Sequence, residues 1–520
     1  MKVVFRVDAS NRIGTGHMVR CLTLAEALRD RGKKPRFICR AHPGHLIERL
    51  QRQAMPVTVL PPAPDTEPDH SADYAAWLGV TQAHDAQQTI AALGGERPDW
   101  LIADHYGLDA AWEQRLRPHV DRLMVIDDLA NRLHDCDLLL DQNVIDEPAS
   151  DGTRYRNLTP TGCRLLLGPR HALLRPEYAD WRRTLMPRDG QVRRVLVFMG
   201  GSDPGNVTGL ALEILSAPEF RHLEVDVVVG SNNPHRPTIE NQATRRARTT
   251  LHGPRPHLAD LMARADLAIG AGGTATWERL CLGLPSLVIS IAENQELACL
   301  ALARAGLIRY LGDAVTVDEE RMRAALGGIM DDPEEIAGQS LAGRLLVDGL
   351  GALRVLETLD PTPVEQLHLR PVNEDDITLY YDWANEPEVR RQSIDSSPIP
   401  WTRHRDWFHD KLTDARSHLF VLQAGGLPAG QVRFDGKNDE VRIDYSLDPL
   451  VRGRGWAAYM VAMGAKRLQE SRPVMLRAEV KFGNHVSRAV FLRLGFEEDI
   501  GGGGRMRIFR LPSSRIAAVG

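Results

Sequence analysis

The chain has 520 residues, 43% of them hydrophobic and 26% charged, which is typical of a globular protein and too long for one ordinary hydrophobic core. The net charge of -5 argues against nucleic acid as a partner, because such proteins carry a clustered basic excess. No apolar run reaches the roughly 18–20 residues of a membrane helix, and Met1–Phe5 enters a strand-like run rather than a signal-peptide core, so a cytoplasmic chain with no membrane partner is expected.

Short apolar runs alternate with amphipathic stretches from the start. Val3–Val7 reads as a strand, Met18–Arg31 as a helix, Pro35–Cys39 as a strand and Leu46–Gln53 as a helix, with further strands at Trp100–Ala103, Arg122–Ile126 and Leu138–Leu140. The series restarts with strand Val195–Phe198, helix Val207–Leu215 and strands Val225–Val229, Leu267–Ile269 and Ser286–Ile291. Such alternation predicts parallel sheets with helices on both faces. Residues 1–180 and 190–357 are therefore expected to be two doubly wound, Rossmann-type halves, with ligands at the carboxyl ends of the strands. Residues 358–365, with Pro361 and Pro363, read as a linker. Residues 366–512 change rhythm to a mixed α+β layout: strands Leu367–Arg370, His418–Ala424, Gly430–Phe434, Glu440–Leu447 and Val474–Val480, a helix from Gly455, and a flexible loop at Gly501–Gly504. The six cysteines are scattered without a C-x-x-C pair and read as reduced thiols, and no His/Cys cluster has zinc spacing, so no metal is expected.

Two glycine loops stand where ligands would bind. Gly14 and Gly16 follow the first strand and open the first helix, although Val19 occupies the third position of a dinucleotide fingerprint and argues against a nicotinamide cofactor. His17 falls in that helix's first turn, where the dipole disfavours imidazolium; it reads either as a neutral base or as a capping or packed histidine. Gly270–Glu278 runs from strand through glycine loop to helix. Free amides of Gly273, Thr274 and Ala275 would hold a pyrophosphate there, and the Glu278 carboxylate could accept both hydroxyls of a ribose. Gly201 and Ser202 lie in a similar loop; tight turns with no ligand are the plain alternative for both.

Residues 1–355 resemble the UDP-sugar hydrolase of pseudaminic acid biosynthesis. The resemblance rests on Arg6–Arg20, Asp104–Gly107, Leu167–Arg170 with Ala172–Arg175, Met199–Asp203, and Gly273-Thr274 through Glu278 to Glu293–Gln295. It implies a GT-B-like pair of Rossmann-type domains that releases UDP and a 2,4-diacetamido-2,4,6-trideoxy sugar without a metal. His17 would activate water, Tyr106 and Asn294 would line the sugar pocket, and Arg12, Gly14, Gly16, Gly201, Ser202, Gly273, Thr274, Ala275, Glu278 and Gln295 would complete the substrate site. A glycosyltransferase on the same scaffold is the competing function, since fold alone cannot separate the two.

In the last region, Arg452-Gly453-Arg454-Gly455-Trp456-Ala457 fits R-x-x-G-x-A, with Asn484, Ser487 and Phe491–Phe496 following in order. These residues resemble the pyrophosphate loop and later segments of the GNAT acetyltransferases, which implies acetyl-CoA as co-substrate. Phe491 stands where many members carry a tyrosine that protonates the thiolate. It reads here as a core aromatic, and Tyr445 and Asp444 are candidates for relaying the amine proton. Residues 366–512 resemble the UDP-4-amino-sugar N-acetyltransferase of the same pathway, whose product would be the hydrolase's substrate; a protein N-acetyltransferase is the alternative. Other enzymes of that sialic-acid-like sugar pathway are then candidate partners.

Overall fold

The computed structural model describes residues 1–63, 74–143, 153–185, 188–230, 232–437, 440–471, 474–499 and 506–512. Gly501–Gly504, expected to be a loop, lie outside them. The chain forms two compact units, Met1–Leu356 and Glu357–Gly520.

The first unit holds two parallel sheets. One contains β1 (Lys2–Val7), β2 (Lys34–Arg40), β3 (Val57–Leu60), β4 (Trp100–Asp104), β5 (Arg122–Ile126), β6 (Leu138–Asp141) and β7 (Arg164–Leu167), in the order β3-β2-β1-β4-β5-β6-β7. The other contains β8 (Arg194–Phe198), β9 (Glu224–Val228), β10 (Thr249–His252), β11 (Leu267–Ala271), β12 (Ser286–Ser290) and β13 (Arg309–Asp313), in the order β10-β9-β8-β11-β12-β13. Val3, Val4, Phe5 and Val7 are all buried, as a central strand covered on both faces requires. In each sheet the strand order reverses beside the first strand, between β1 and β4 and between β8 and β11. The crevice outside those strand ends is where such sheets take ligands. Five of the six cysteines are buried, and all six are free thiols.

The second unit carries one mixed sheet: β14 (His368–Pro371), β15 (Ser417–Ala424), β16 (Leu427–Lys437), β17 (Glu440–Leu447), β18 (Met475–Lys481), β19 (Glu497–Asp499) and β20 (Met506–Leu511), in the order β14-β15-β16-β17-β18-β20-β19. Every pair is antiparallel except β17 with β18, and that ladder covers only Glu440–Ile443 against Met475–Ala478. Among the described residues, the facing edge of β17 has no strand partner beyond Ile443. Helix Trp456–Ser471 packs its apolar face, including Met460, Val461, Ala465 and Leu468, into the core against this sheet. Among the described residues no helix is long and apolar enough to cross a membrane.

Candidate functional site

The first cleft is built where β1 and β4 lie side by side, with Val7 opposite Asp104. Helix Gly16–Asp30 starts just beyond β1, and its first turn brings His17 over the end of β4. His17 Nδ1 lies 2.5 Å from Asp104 Oδ1. Arg20, one turn further, donates from Nε to Asp104 Oδ2 and from Nη2 to Asp104 Oδ1, both at 2.6 Å. Burial by itself would raise the Asp104 carboxyl, but Arg20 and then His17 outweigh it and hold the group well below the usual carboxylate range. An ionised carboxylate can only accept, so Nδ1 carries the hydrogen and Nε2 is the basic nitrogen. Arg20 Nη2 also lies 3.1 Å from Nδ1, but it is a donor and cannot satisfy an N–H.

Tyr106 packs edge-on against His17, with ring centroids 4.5 Å apart, and is itself buried. Burial and then the neighbouring Asp128 push its phenol well above the ordinary value. Asp128 is also paired with Arg20, at 3.1 Å. Beneath the loop, Asp8 accepts the Arg40 amide at 2.7 Å within a buried network of Arg6, Arg40 and Asp85. His105 beside it is pushed down to about 3, chiefly by burial. These fixed charges set the start of the Asp8–Gly16 loop. The Ser10 hydroxyl turns that loop by accepting the amides of Arg12 and Ile13, and Gly14 has φ +79°. The Arg12 side chain is exposed.

The second half of this unit presents its own loops to the same cleft. A Cβ on Gly16 would lie 2.9 Å from Thr274 Oγ1, so glycine is needed for the close approach. Gly201 faces Thr15, and Asn294 Nδ2 donates to the Tyr106 hydroxyl at 3.3 Å. Helix Ala275–Cys281 begins at this point. Among the described residues the amides of Gly273, Thr274 and Ala275 donate to no backbone carbonyl. Gln295 is tied down, its Oε1 accepting the Ile291 amide at 3.0 Å beside Gly272 and Gly273. Ser202 is half-buried, while Asp203 binds the amides of Val207 and Thr208 and so anchors its loop to the following helix. Glu278 sits one turn in, and its carboxyl is pushed up to about 7, chiefly by burial, with Tyr178, Arg279 and Arg175 only partly opposing. The structure thus brings His17, Tyr106, Thr274, Asn294 and Gln295 together.

The sequence assigned no role to Asp104, Arg20, Asp128 or Tyr178. An acid ending one strand and an Arg three residues after a helical His would have been the signal. Among the described residues no group of three or more His, Cys, Asp or Glu is arranged to hold a metal.

In the second unit, Gly453 and Gly455 have φ of +80° and +79°, and a Cβ on either would meet nothing, so glycine is required there by backbone conformation. The following helix starts at Trp456, which is buried, with half-buried Ala457 behind it. The two arginines expected at the phosphates are engaged elsewhere. Arg452 pairs with Glu386 and Arg454 with buried Glu357, both at 2.6 Å. Asn484 caps helix His485–Arg493 by accepting the Ser487 amide at 3.0 Å, so its side chain serves the helix. Ser487 Oγ accepts from the Tyr445 hydroxyl at 3.1 Å. Phe491 is a core residue, packed on Phe496 and Phe509.

With this geometry in view, comparison with known proteins is informative. Residues 366–497 match the acetyltransferase (GNAT) domain family. Over 363 residues, 69% of this chain and 98% of the relative, the sequence is 25% identical to the spore coat polysaccharide biosynthesis protein SpsG of Bacillus subtilis. It is 26% identical over 306 residues, 59% of this chain and 97% of the relative, to the UDP-2,4-diacetamido-2,4,6-trideoxy-beta-L-altropyranose hydrolase of Campylobacter jejuni. A protein of Methanocaldococcus jannaschii, MJ1062, is 20% identical over 522 residues and covers 96% of this chain. The chain therefore joins a region similar to SpsG and to a UDP-sugar hydrolase to a region that matches the GNAT acetyltransferase domain family.

Proposed function

We propose that the first unit hydrolyses a UDP-2,4-diacetamido-2,4,6-trideoxy sugar without a metal, and that the second acetylates N4 of the corresponding UDP-4-amino sugar with acetyl-CoA. The observation that carries the hydrolase reading is the His17–Asp104–Arg20 constellation opposite the Gly273–Ala275 loop. Asp104 keeps His17 in the Nδ1–H tautomer, and Nε2 removes a proton from water as its oxygen adds to the anomeric carbon. The anomeric C–O bond breaks, and UDP leaves with the electron pair. The amides of the Gly273–Ala275 loop face the diphosphate, while the Glu278 carboxylate accepts the ribose hydroxyls. Tyr106 and Asn294, already joined across the cleft, orient the sugar. The similarity to the Campylobacter hydrolase of such a UDP-sugar supports this substrate class.

The acetyltransferase reading rests on the family match together with the positive-φ glycine loop ahead of helix Trp456–Ser471. N4-acetylation would generate the diacetamido sugar that the first unit consumes, which gives one chain two consecutive reactions. Incubating the full chain with UDP-4-amino sugar and acetyl-CoA, followed by mass spectrometry, should reveal CoA, UDP and free diacetamido sugar. UDP release that depends on an added acceptor would instead make the first unit a glycosyltransferase.

A further inference from the structure

A pair of hydroxyls in the second unit remains after the phosphate loop is accounted for. Tyr445 lies on β17 two residues beyond Ile443, where the ladder to β18 has ended. It points to the same face as buried Val441, Ile443 and Leu447, as the two-residue repeat of a strand requires. Its hydroxyl donates to Ser487 Oγ at 3.1 Å, bridging from β17 to the first turn of helix His485–Arg493. Ser487 is held in turn through its amide by Asn484. The Tyr445 ring rests edge-on against Phe491, with centroids 5.8 Å apart. Phe491 has no proton to give. Burial raises the phenol above its ordinary value, so at neutral pH it is a donor. Both residues are half-buried.

The gap between β17 and β18 has the chemistry to take a thioester arm. The edge of β17 beyond Ile443 offers ladder groups with no strand partner among the described residues, suited to the amides of an extended pantetheine. The same strand leads directly into the Arg452–Trp456 loop, where the diphosphate of that arm would sit.

We propose that the Tyr445–Ser487 hydroxyl pair carries the proton from the reacting amine to the departing CoA thiolate, an assignment that rests on the acetyltransferase reading above. The amine nitrogen bonds to the thioester carbonyl carbon, and the C–S bond breaks with its electron pair on sulfur. Tyr445 gives its hydroxyl proton to that sulfur, forming the CoA thiol. The phenolate then recovers a proton, through Ser487, from the acetylated nitrogen, which ends as a neutral amide.

The test uses the full chain with UDP-4-amino sugar as acceptor, following CoA thiol release and measuring acetyl-CoA binding separately. Tyr445→Phe should lower kcat by about 10²-fold with acetyl-CoA affinity within about twofold of wild type, the size expected for a lost general acid. Its kcat should also lose the alkaline decline that phenol ionisation imposes on the wild type. Ser487→Ala, which leaves the ring in the core, should lower kcat by about tenfold and serves if Tyr445→Phe folds poorly. Variants with unchanged kcat, or with a raised KM alone, would overturn the assignment. A wild-type chain that binds no acetyl-CoA would overturn the acetyltransferase reading and this proposal together.

Discussion

Glu278→Gln should make the protein more stable and its UDP binding weaker, and the first effect should depend on pH in a defined direction. Burial lifts the Glu278 carboxyl from its ordinary 4.5 to about 7, because Tyr178, Arg279 and Arg175 only partly offset the loss of water. At about 1.4 kcal/mol per pH unit, this displacement corresponds to at most about 3.5 kcal/mol. Glu278 is half-buried, so solvent reduces the figure, and about 1–2 kcal/mol is expected. A carboxyl whose folded value is raised costs nothing below its unfolded value. The cost grows as pH rises from 4.5 and is complete above about 7. Glutamine cannot ionise and escapes it.

Urea unfolding of wild type and Glu278→Gln, followed by tryptophan fluorescence, should therefore give matching midpoints near pH 4.5 and a more stable variant at pH 8. UDP affinity should move the other way, falling about tenfold or more as a charge-assisted bond to ribose is lost. A stability difference that ignores pH, or a less stable variant at pH 8, would refute the claim that burial leaves this carboxylate under-compensated.

The remaining predictions address the proposed catalytic pair and the unit boundary. His17→Ala should reduce UDP release by at least about 10²-fold while leaving acetyl transfer intact, as measured by separate UDP and CoA assays. Asp104→Asn, whose amide can face Nδ1 as a donor and favour the other tautomer, should lower hydrolytic kcat by about 10²-fold or more with UDP affinity unchanged. A fragment of residues 364–520 lacks Glu357, the partner of Arg454, and should unfold at lower urea than residues 350–520, by about 1–2 kcal/mol; equal stability would show that the ion pair contributes nothing.

The fold class was legible because buried parallel strands read as apolar runs and alternate with helices. Where the apolar-run criterion failed, it failed informatively. It ended β4 at Ala103 and β6 at Leu140, whereas the strands continue to Asp104 and Asp141. Those carboxylates end strands at the ligand side of the sheet, and Asp104 is the one that holds His17. A hydrophobicity rule stops one residue short of the functional group by construction. The four-residue strands β3 and β7 also escaped, being short and at the sheet's two edges.

The glycine loops were readable as positions, but the partners of the charged side chains around them were not. His17 could be placed in the first turn of helix Gly16–Asp30, but its partner Asp104, 87 residues away at the end of the strand beside β1, could not. Likewise, arginines in a glycine loop suggest phosphate contacts, but sequence cannot show that Arg452 pairs with Glu386 and Arg454 with Glu357. An arginine already matched to a carboxylate contributes little net charge to a diphosphate. On the proposed acetyl-CoA reading, phosphate recognition then falls mainly to the amides that Gly453 and Gly455 hold at positive φ, reinforced by the 16-residue helix behind them. By that argument the glycines matter more to acetyl-CoA binding than the arginines between which they stand.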